Sequence, residues 1–252
     1  NRLVVKVFCA SGKGINSVGE TISKAIKETG LYSFGYREYP SLIKGGFASF
    51  QVDFSSAPIV SSSDKCDMLL VLSVSAFSAY YSSVAKDGTI IHSVIGLQQS
   101  EEQQKYFSEN NIKVVFVPAQ QLVKEAGGHP LMVNTFLLGV LWQLLGLSFE
   151  PLIEVLKRTF AKKPDVIEPN IKMLEAGKAF QYEHLTPVSF GFAFHPEIVV
   201  DMIISGTQAI ALGAVAAGFL AYYAYPLTPS TSILIYLASL SLDPGIFFHQ
   251  FK

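Results

Sequence analysis

Short apolar runs separated by helical patterns constrain the fold of this chain more than any other feature of its sequence. Residues 3–9 form a continuous apolar run, which is typical of a buried parallel strand. Shorter runs follow at residues 68–72, 89–92 and 113–117, and the segments between them carry helical patterns. This alternation predicts an α/β fold, in which a mostly parallel sheet is covered by helices on both faces.

Residues 47–54 show a different pattern, because apolar and polar side chains alternate there. A strand of this kind turns its apolar residues to one face and its polar residues to the other. The polar face would carry Ser49, Gln51 and Asp53. We therefore expect a half-exposed strand that runs antiparallel to its neighbours.

Helical patterns dominate residues 120–181. Residues 131–145 are apolar nearly all round, which predicts a helix that is buried or lies at an interface. We expect a first domain over residues 1–182, a linker at 183–197 and a second α/β unit over 198–252. The second unit has too few elements to close a doubly wound domain, so we expect it to be a fragment or to be completed by further material.

The composition excludes some functions and leaves others open. A net charge of −1 gives no excess of Lys and Arg, so we expect no nucleic-acid partner. Half of the residues are hydrophobic, which indicates a large core and a wide subunit interface, or membrane segments. Residues 130–149 and 202–242 are long enough to cross a bilayer, but polar residues, Gly and Pro interrupt them, which favours a buried core. No signal-peptide pattern opens the sequence, so we expect a cytoplasmic protein.

The sequence offers no recognisable set of metal ligands. Cys9 and Cys66 are the two cysteines and lie in apolar, strand-like surroundings, where thiols are usually inert. Two isolated cysteines cannot hold an iron–sulfur cluster by themselves, and the five His residues lack the spacing of a zinc site. We therefore expect no metal site on this chain.

A glycine-rich turn follows the first strand at residues 11–14. Gly12 and Gly14 would let the backbone approach a ligand, and the start of the next helix favours an anion. Ser17 and Glu20 form a capping-box pattern, which predicts that this helix begins at Ser17. The turn matches neither G-x-G-x-x-G nor a P-loop, so a purely structural turn is an equal alternative.

Residues 38–46 combine a rigid X-Pro turn, a Lys and a Gly pair. Lys44, beside flexible backbone, could contact an anionic partner. A solvated Lys in a surface loop is the alternative that the composition of this segment favours.

Residues 225–231 read as the end of a strand, a polar turn and the start of a helix. Pro226 ends the strand, Thr228 suits an N-cap and Pro229 suits the first helical position. Backbone N–H groups at such a helix start, beside Thr and Ser hydroxyls, favour a phosphate or a carboxylate. An ordinary capped helix remains an equal alternative on the residues alone.

Four segments, taken in their order along the chain, resemble the 2-oxoacid:ferredoxin oxidoreductases. The likeness is to the α subunit of enzymes similar to 2-oxoglutarate ferredoxin oxidoreductase, in which a γ-type domain precedes a thiamine-pyrimidine-binding domain. Residues 11–20 look like the glycine-rich start of the γ-type domain, and residues 38–46 look like its E-Y-P-S-x-I-[RK]-G-G signature. Residues 131–179 resemble its helical tail, and residues 206–231 resemble the opening of the pyrimidine-binding domain, with its Y-P-x-T-P-S-[ST] element.

This resemblance implies an enzyme that is active only with a partner β subunit. Such enzymes decarboxylate a 2-oxoacid oxidatively on thiamine diphosphate, form an acyl-CoA and pass electrons to ferredoxin. The diphosphate, its Mg ion and at least one iron–sulfur cluster would be held by, or shared with, the β subunit.

The resemblance also implies roles for individual residues. Thr228 would be the catalytic residue, close to the thiamine ring and the substrate carboxylate. The cofactor-binding residues implied in the same turn are Tyr225, Pro226, Pro229 and Ser230. The γ-type domain would help to cover the site and handle CoA. The residues implied for that task are Gly12, Lys13, Gly14 and Lys44.

The chain departs from the family pattern in ways that keep other interpretations open. Residues 206–209 read Gly-Thr-Gln-Ala where the family commonly has Gly-Asn-Glu-Ala, and Ala10 replaces the first glycine of the γ-type turn. The carboxylate that tunes the aminopyrimidine is expected after the strand that begins near Phe247, where this sequence stops. A non-catalytic paralogue that binds a nucleotide-like ligand or scaffolds a partner is one alternative, and a membrane protein with two broken spans is another.

Overall fold

A computed structural model describes residues 2–10, 14–38, 47–181, 202–227, 230–240 and 247–250 of the chain. These residues fall into two units, Asn1–Val200 (unit 1) and Asp201–Lys252 (unit 2). The expected linker at 183–197 lies outside the described residues, so its bounds stay a prediction.

Unit 1 is built on a six-stranded sheet. Its strands are β1 (Arg2–Ala10), β2 (Tyr32–Glu38), β3 (Phe47–Ser55), β4 (Cys66–Val71), β5 (Val84–His92) and β6 (Lys113–Phe116). The strand order is β2-β3-β1-β4-β5-β6. Strand β3 runs antiparallel to both of its neighbours, whereas β1, β4, β5 and β6 pair in parallel. The predicted mostly parallel sheet is confirmed, and so is the antiparallel strand at residues 47–54.

Helices cover both faces of this sheet, as the alternating pattern predicts. The helices that connect the strands are α1 (Ile15–Glu28), α2 (Val74–Tyr80) and α3 (Glu101–Glu109). Alternate residues of β1 enter separate cores. Val5 and Val7 pack into the core that α1 and the later helices share. Val4 and Phe8 pack into the core that contains Phe77 of α2 and Phe107 of α3.

The polar face of β3 is buried, so the expectation of a half-exposed strand is wrong. Ser49, Gln51 and Asp53 are 1%, 3% and 0% exposed. The backbone of Ser63 binds two of these side chains, because its N–H donates to Asp53 and its carbonyl oxygen accepts from Gln51, at 3.0 and 2.7 Å. Arg2 Nε also donates to Asp53, at 3.0 Å. A later segment therefore supplies partners for polar groups that water would otherwise solvate.

A helical tail completes unit 1. It consists of α4 (Ala119–Glu125), α5 (Val133–Leu145), α6 (Glu150–Thr159) and α7 (Ile167–Lys178), with short 3-10 turns at Pro130–Met132 and Pro164–Val166. Helix α5 is buried from Phe136 onward except at Gln143, which confirms most of the predicted buried helix, whereas Leu131 is exposed. Helices α5 and α7 cross closely at Gly139 and Gly177, whose backbones leave no space for a Cβ atom.

Unit 2 contains α8 (Gly206–Ala216), β7 (Ala221–Ala224), α9 (Thr231–Leu240) and β8 (Phe247–Gln250). Strands β7 and β8 pair in parallel. Ala211 and Leu237 form the centre of a small core. Within the described ranges, no helix is both long enough and apolar enough to cross a bilayer.

Candidate functional site

The candidate site of unit 1 lies at the edge of the sheet where β1 ends. Ala10, the last residue of β1, pairs with Phe47, the first residue of β3. In the sequence, residues 11–13 follow Ala10 directly and residues 39–46 precede Phe47. Gly12, Lys13 and Lys44 lie outside the described residues, but their two segments are thus attached to adjacent positions at one edge. In open α/β sheets, ligands bind outside the carboxyl ends of the parallel strands.

Gly14 is the described residue of the glycine-rich turn, and its conformation favours glycine. Its φ of 80° lies in the left-handed region, and it is the N-cap of α1 without any side-chain cap. Helix α1 therefore begins at Ile15, and the predicted start at Ser17 is wrong. Because Ser17 lies inside the helix, it cannot act as the N-cap, and Glu20 forms an ion pair with Arg37 of β2 instead.

A cluster of polar side chains spans three strands close to this edge. Lys6 Nζ of β1 lies 2.8 Å from Glu38 Oε2 of β2. The Ser49 hydroxyl of β3 donates to the same oxygen, at 2.6 Å. The Lys6 side chain is 7% exposed, and its ammonium lies 5.2 Å from the ring centroid of Tyr80. Partial burial acts to raise the pKa of Glu38, but the hydrogen bonds from Lys6 and Ser49 and the charge of Lys6 outweigh it and lower that pKa.

A cavity of about 400 Å³ lies beside Gly14, between the start of α1 and the helical tail. This volume is within the range of small-molecule sites. Its wall includes His129, whose Nδ1 accepts the N–H of Leu131 at 3.2 Å, so that Nε2 carries the proton in the neutral ring. Thr135 donates to Asn170 across the wall, at 2.8 Å.

Asn134, also in the cavity wall, lies against the glycine-rich turn. A Cβ atom at Gly14 would lie 3.2 Å from the Asn134 side-chain nitrogen. Sequence reasoning did not identify this contact. The one available signal was the position of Asn134 and Thr135 near the start of an apolar run, where a polar pair needs partners.

The candidate turn of unit 2 is described in part. Strand β7 ends at Ala224, so Tyr225 and Pro226 follow the strand as predicted. The Ser230 hydroxyl donates to the Leu227 carbonyl at 2.6 Å, and α9 begins at Thr231. The predicted helix start, with Thr228 as N-cap and Pro229 as the first helical residue, is therefore wrong by two residues. Thr228 and Pro229 themselves lie outside the described residues, so their proximity to a ligand stays a prediction.

The departure at residues 206–209 has a local structural role. Ser205 is the N-cap of α8 and accepts the N–H of Gln208, at 3.3 Å. The Gln208 side-chain oxygen accepts the Ser205 N–H in return, at 2.8 Å. Gln208 therefore completes a capping box, a role that Glu also performs.

The thiol of Cys66 is buried, as expected, and donates to the Ser83 carbonyl at 3.5 Å. Burial raises its pKa to about 11. Among the residues that the structure describes, no group of three His, Cys, Asp or Glu side chains could hold a metal ion. The environment of the Cys9 side chain lies outside the description.

The sheet order and the four helices that follow the last strand define an α/β domain with a helical tail. The chain belongs to the pyruvate ferredoxin/flavodoxin oxidoreductase family, whose model matches residues 5–180. This match confirms the family resemblance that the motifs predict.

Relatives and solved structures extend this assignment. Ketoisovalerate oxidoreductase subunit VorA of Methanothermobacter thermautotrophicus is 29% identical over 72% of this chain and 37% of its own. The 2-oxoglutarate:ferredoxin oxidoreductase of Magnetococcus marinus, solved with 2-oxoglutarate, coenzyme A and succinyl-CoA bound, is 27% identical. That match covers 100% of this chain and 43% of the solved chain, with a TM-score of 0.85. The chain therefore spans less than half the length of these two proteins.

A third match bears on the fold of unit 1. Pyruvate oxidoreductase subunit PORC of Thermotoga maritima is 18% identical, with a TM-score of 0.56. The match covers 70% of this chain and 94% of that subunit. A fold of this kind thus occurs as a separate subunit, which agrees with the division of the chain near residue 200.

Proposed function

We propose that this chain is part of the α subunit of a thiamine-diphosphate-dependent 2-oxoacid:ferredoxin oxidoreductase. The reaction is the oxidative decarboxylation of a 2-oxoacid to an acyl-CoA, with electrons passed to ferredoxin. The match to the Magnetococcus marinus enzyme carries the proposal, because it covers 100% of this chain. Proteins similar to this chain are named for ketoisovalerate and 2-oxoglutarate, so the proposal extends to the class of 2-oxoacids.

Unit 1 is proposed to hold CoA. Gly12, Lys13 and Gly14 follow β1, and Lys44 lies in the segment that returns to the neighbouring strand. Two lysines in segments attached to one edge suit the phosphate groups of CoA, because the ammonium group is a common phosphate ligand. The exposed start of α1, which has no acidic residue in its first turn, adds to the attraction for an anion.

Unit 2 is proposed to contribute the turn beside the thiamine ring. Thr228 is the proposed catalytic residue, and the residues proposed to shape the turn are Tyr225, Pro226, Pro229 and Ser230. Bound thiamine diphosphate would supply carbanion chemistry at the keto carbon, and the residues of this turn would bind and orient its pyrimidine and the substrate carboxylate. With two cysteines in the whole chain, the iron–sulfur cluster is assigned to the β subunit, together with the diphosphate and its Mg ion. The complex is proposed to act in the cytoplasm.

The alternative is a non-catalytic paralogue of the same subunit. The departure from Gly-Asn-Glu-Ala at residues 206–209 favours this alternative. Gln208 is neutral, and its side chain is engaged in the capping box. Such a protein would bind a nucleotide-like ligand or scaffold a partner without turnover.

The test is CoA-dependent reduction of a viologen dye, without oxygen, by the full-length subunit in its native complex. Pyruvate, 2-oxoglutarate and ketoisovalerate are supplied in turn. We expect one of them to support reduction, and Thr228→Val to abolish reduction while the complex still assembles. If a complex that retains thiamine diphosphate and its cluster reduces no dye with any substrate, the non-catalytic alternative is correct.

A further inference from the structure

The cavity beside Gly14 has a lining that favours one class of ligand. Leu138 and Leu156, which are 3% and 4% exposed, contribute apolar wall. Among the described residues of the lining, none is acidic, and Lys163 is the one whose side chain carries a full charge. A cavity of this kind suits a ligand that combines an apolar ring or chain with an anionic group.

Asn170 of α7 is a buried polar residue in this lining, with 6% of its surface exposed. Its Nδ2 donates to the Val166 carbonyl oxygen at 2.7 Å, and its Oδ1 accepts the Thr135 hydroxyl at 2.8 Å. A carbonyl oxygen only accepts, so the contact with Val166 identifies which amide atom is the nitrogen. The two contacts therefore fix the orientation of the amide in the cavity wall.

The Asn170 amide retains hydrogen-bonding capacity. A primary amide has two N–H donors and two acceptor lone pairs on its oxygen. Within the part of the chain that the structure describes, one donor and one lone pair are used. The remaining donor and acceptor belong to one planar group, so they match a ligand edge that presents an acceptor beside a donor. Adenine has such an edge, where its N6 amino group lies beside a ring nitrogen, and an asparagine amide pairs with it bidentately.

We propose that this cavity binds the adenine ring of CoA, with the Asn170 amide paired to the edge of the ring and Lys163 paired with a phosphate of the adenosine group. This inference deepens the proposed function of unit 1 and rests on it for the identity of the ligand. The apolar walls cover the faces of the ring, which removes apolar area from water on binding. In the non-catalytic alternative, the same cavity receives the adenine ring of another nucleotide.

The experiment measures binding to the full-length subunit in its native complex by titration calorimetry, without oxygen. The probes are CoA, adenosine 3′,5′-bisphosphate, which corresponds to the nucleotide end of CoA, and inosine 3′,5′-bisphosphate, in which an oxygen replaces the N6 amino group. We expect the adenosine compound to bind and CoA to displace it. The inosine compound should bind about tenfold more weakly, since its ring cannot donate to Asn170 from that position.

A bulky substitution at the rim of the cavity tests the location of the site. Thr159 is an exposed residue of the lining, so Thr159→Trp fills the cavity without altering its buried wall. We expect the affinities for CoA and for the adenosine compound to fall by at least about tenfold. Ala161→Trp is the matched control, because it adds the same side chain at an exposed residue outside the lining. It should change each affinity by less than about twofold.

Two polar variants test individual groups. Asn170→Leu removes the amide, so the preference for the adenosine compound over the inosine compound should disappear, which a purely structural role would not cause. If this variant does not fold, Thr159→Trp decides the question. Lys163→Met should weaken binding of the adenosine compound about threefold. Lys162→Met, at the neighbouring lysine outside the lining, should leave it unchanged.

The outcomes separate this inference from the function on which it rests. If Thr159→Trp binds CoA as the wild type does, or if the wild type binds the adenosine and inosine compounds equally, the inference is wrong and the proposed function stands. If the adenosine compound binds with the expected response to Thr159→Trp, but the complex neither binds CoA nor requires it for turnover, the cavity is an adenine site and the proposed function is wrong.

Discussion

The crossing of α5 and α7 gives a prediction whose size follows from the structure. A Cβ atom at Gly139 would lie 2.2 Å from the Leu174 carbonyl oxygen, and one at Gly177 would lie 2.1 Å from the Phe136 carbonyl oxygen. For Gly139→Ala the gap must open by about 0.8 Å to reach 3.0 Å, the lower limit for real Cβ contacts. The obstacle is backbone, which cannot rotate away, so the helices themselves must separate.

Opposing contributions determine the net effect of Gly139→Ala. Alanine favours a helix interior over glycine by about 1 kcal/mol. Overpacking costs up to about 3 kcal/mol, and we expect the upper end because two buried helices must move. The net loss in the free energy of unfolding is therefore about 2 kcal/mol. Gly177→Ala should cost a similar amount, for the same reason.

The double variant provides the sharper measurement. Once the helices have separated for one Cβ atom, the second requires little further movement, so the two losses should not add. We expect a coupling energy of at least about 1 kcal/mol in a double-mutant cycle measured by urea unfolding. The slope m of each unfolding curve is compared with that of the wild type.

Gly146→Ala, at the end of the same helix α5, is the matched control. Gly146 has a φ of 63° and no atom within 4 Å of its Cβ position, so its substitution tests backbone strain without a clash. We expect a loss of about 1 kcal/mol, additive with that of Gly139→Ala. Additive losses for Gly139 and Gly177, or a stabilising Gly139→Ala, would refute the reasoning about the close crossing.

Two further predictions concern titrating groups. The buried thiol of Cys66, with its pKa raised to about 11, should react with a maleimide at pH 8 only after unfolding, which mass spectrometry of labelled peptides would detect. Fast labelling of the native chain at Cys66 would contradict its burial. Burial raises the pKa of Asp67, so the native state holds its proton more tightly than the unfolded state, and stability falls as pH rises from about 4 through the raised pKa. Asp67→Asn keeps an oxygen that can accept the Val4 N–H, and its stability relative to the wild type should increase between pH 4 and pH 7 in urea titrations. A constant difference across that range would contradict this prediction.

The strands of the sheet could be predicted because an apolar run, or an alternation of apolar and polar residues, is contained within each strand. The alternation at residues 47–54 identified both the two faces of β3 and its antiparallel direction. The alternation could not show whether the polar face of β3 is exposed, since polar side chains can be buried when another segment supplies their hydrogen-bond partners. For Asp53 and Gln51, that segment is the backbone of Ser63.

The start of α1 shows why a correct motif can still give a wrong boundary. Ser17 and Glu20 have the spacing of a capping box, but Gly14 adopts a left-handed conformation three residues earlier and begins the helix there. In α8 the same kind of pattern, Ser205 with Gln208, does form the capping box. Local propensity left both outcomes possible, and they differ in the N-cap residue, which is a left-handed Gly14 in α1 and an extended Ser205 in α8.

The motif residues could be predicted from the sequence, whereas the residues that contact them could not. The segments at 11–14 and 38–46 are recognisable because they are contiguous, and their spacing alone carries the family resemblance. Lys6, Ser49 and Asn134 stand outside these segments, and only the folded sheet and helical tail bring them against Glu38 and Gly14. A lysine in an apolar strand and an asparagine in an apolar helix are therefore the signals to examine first in related chains, because each polar side chain needs a partner that the local pattern does not identify.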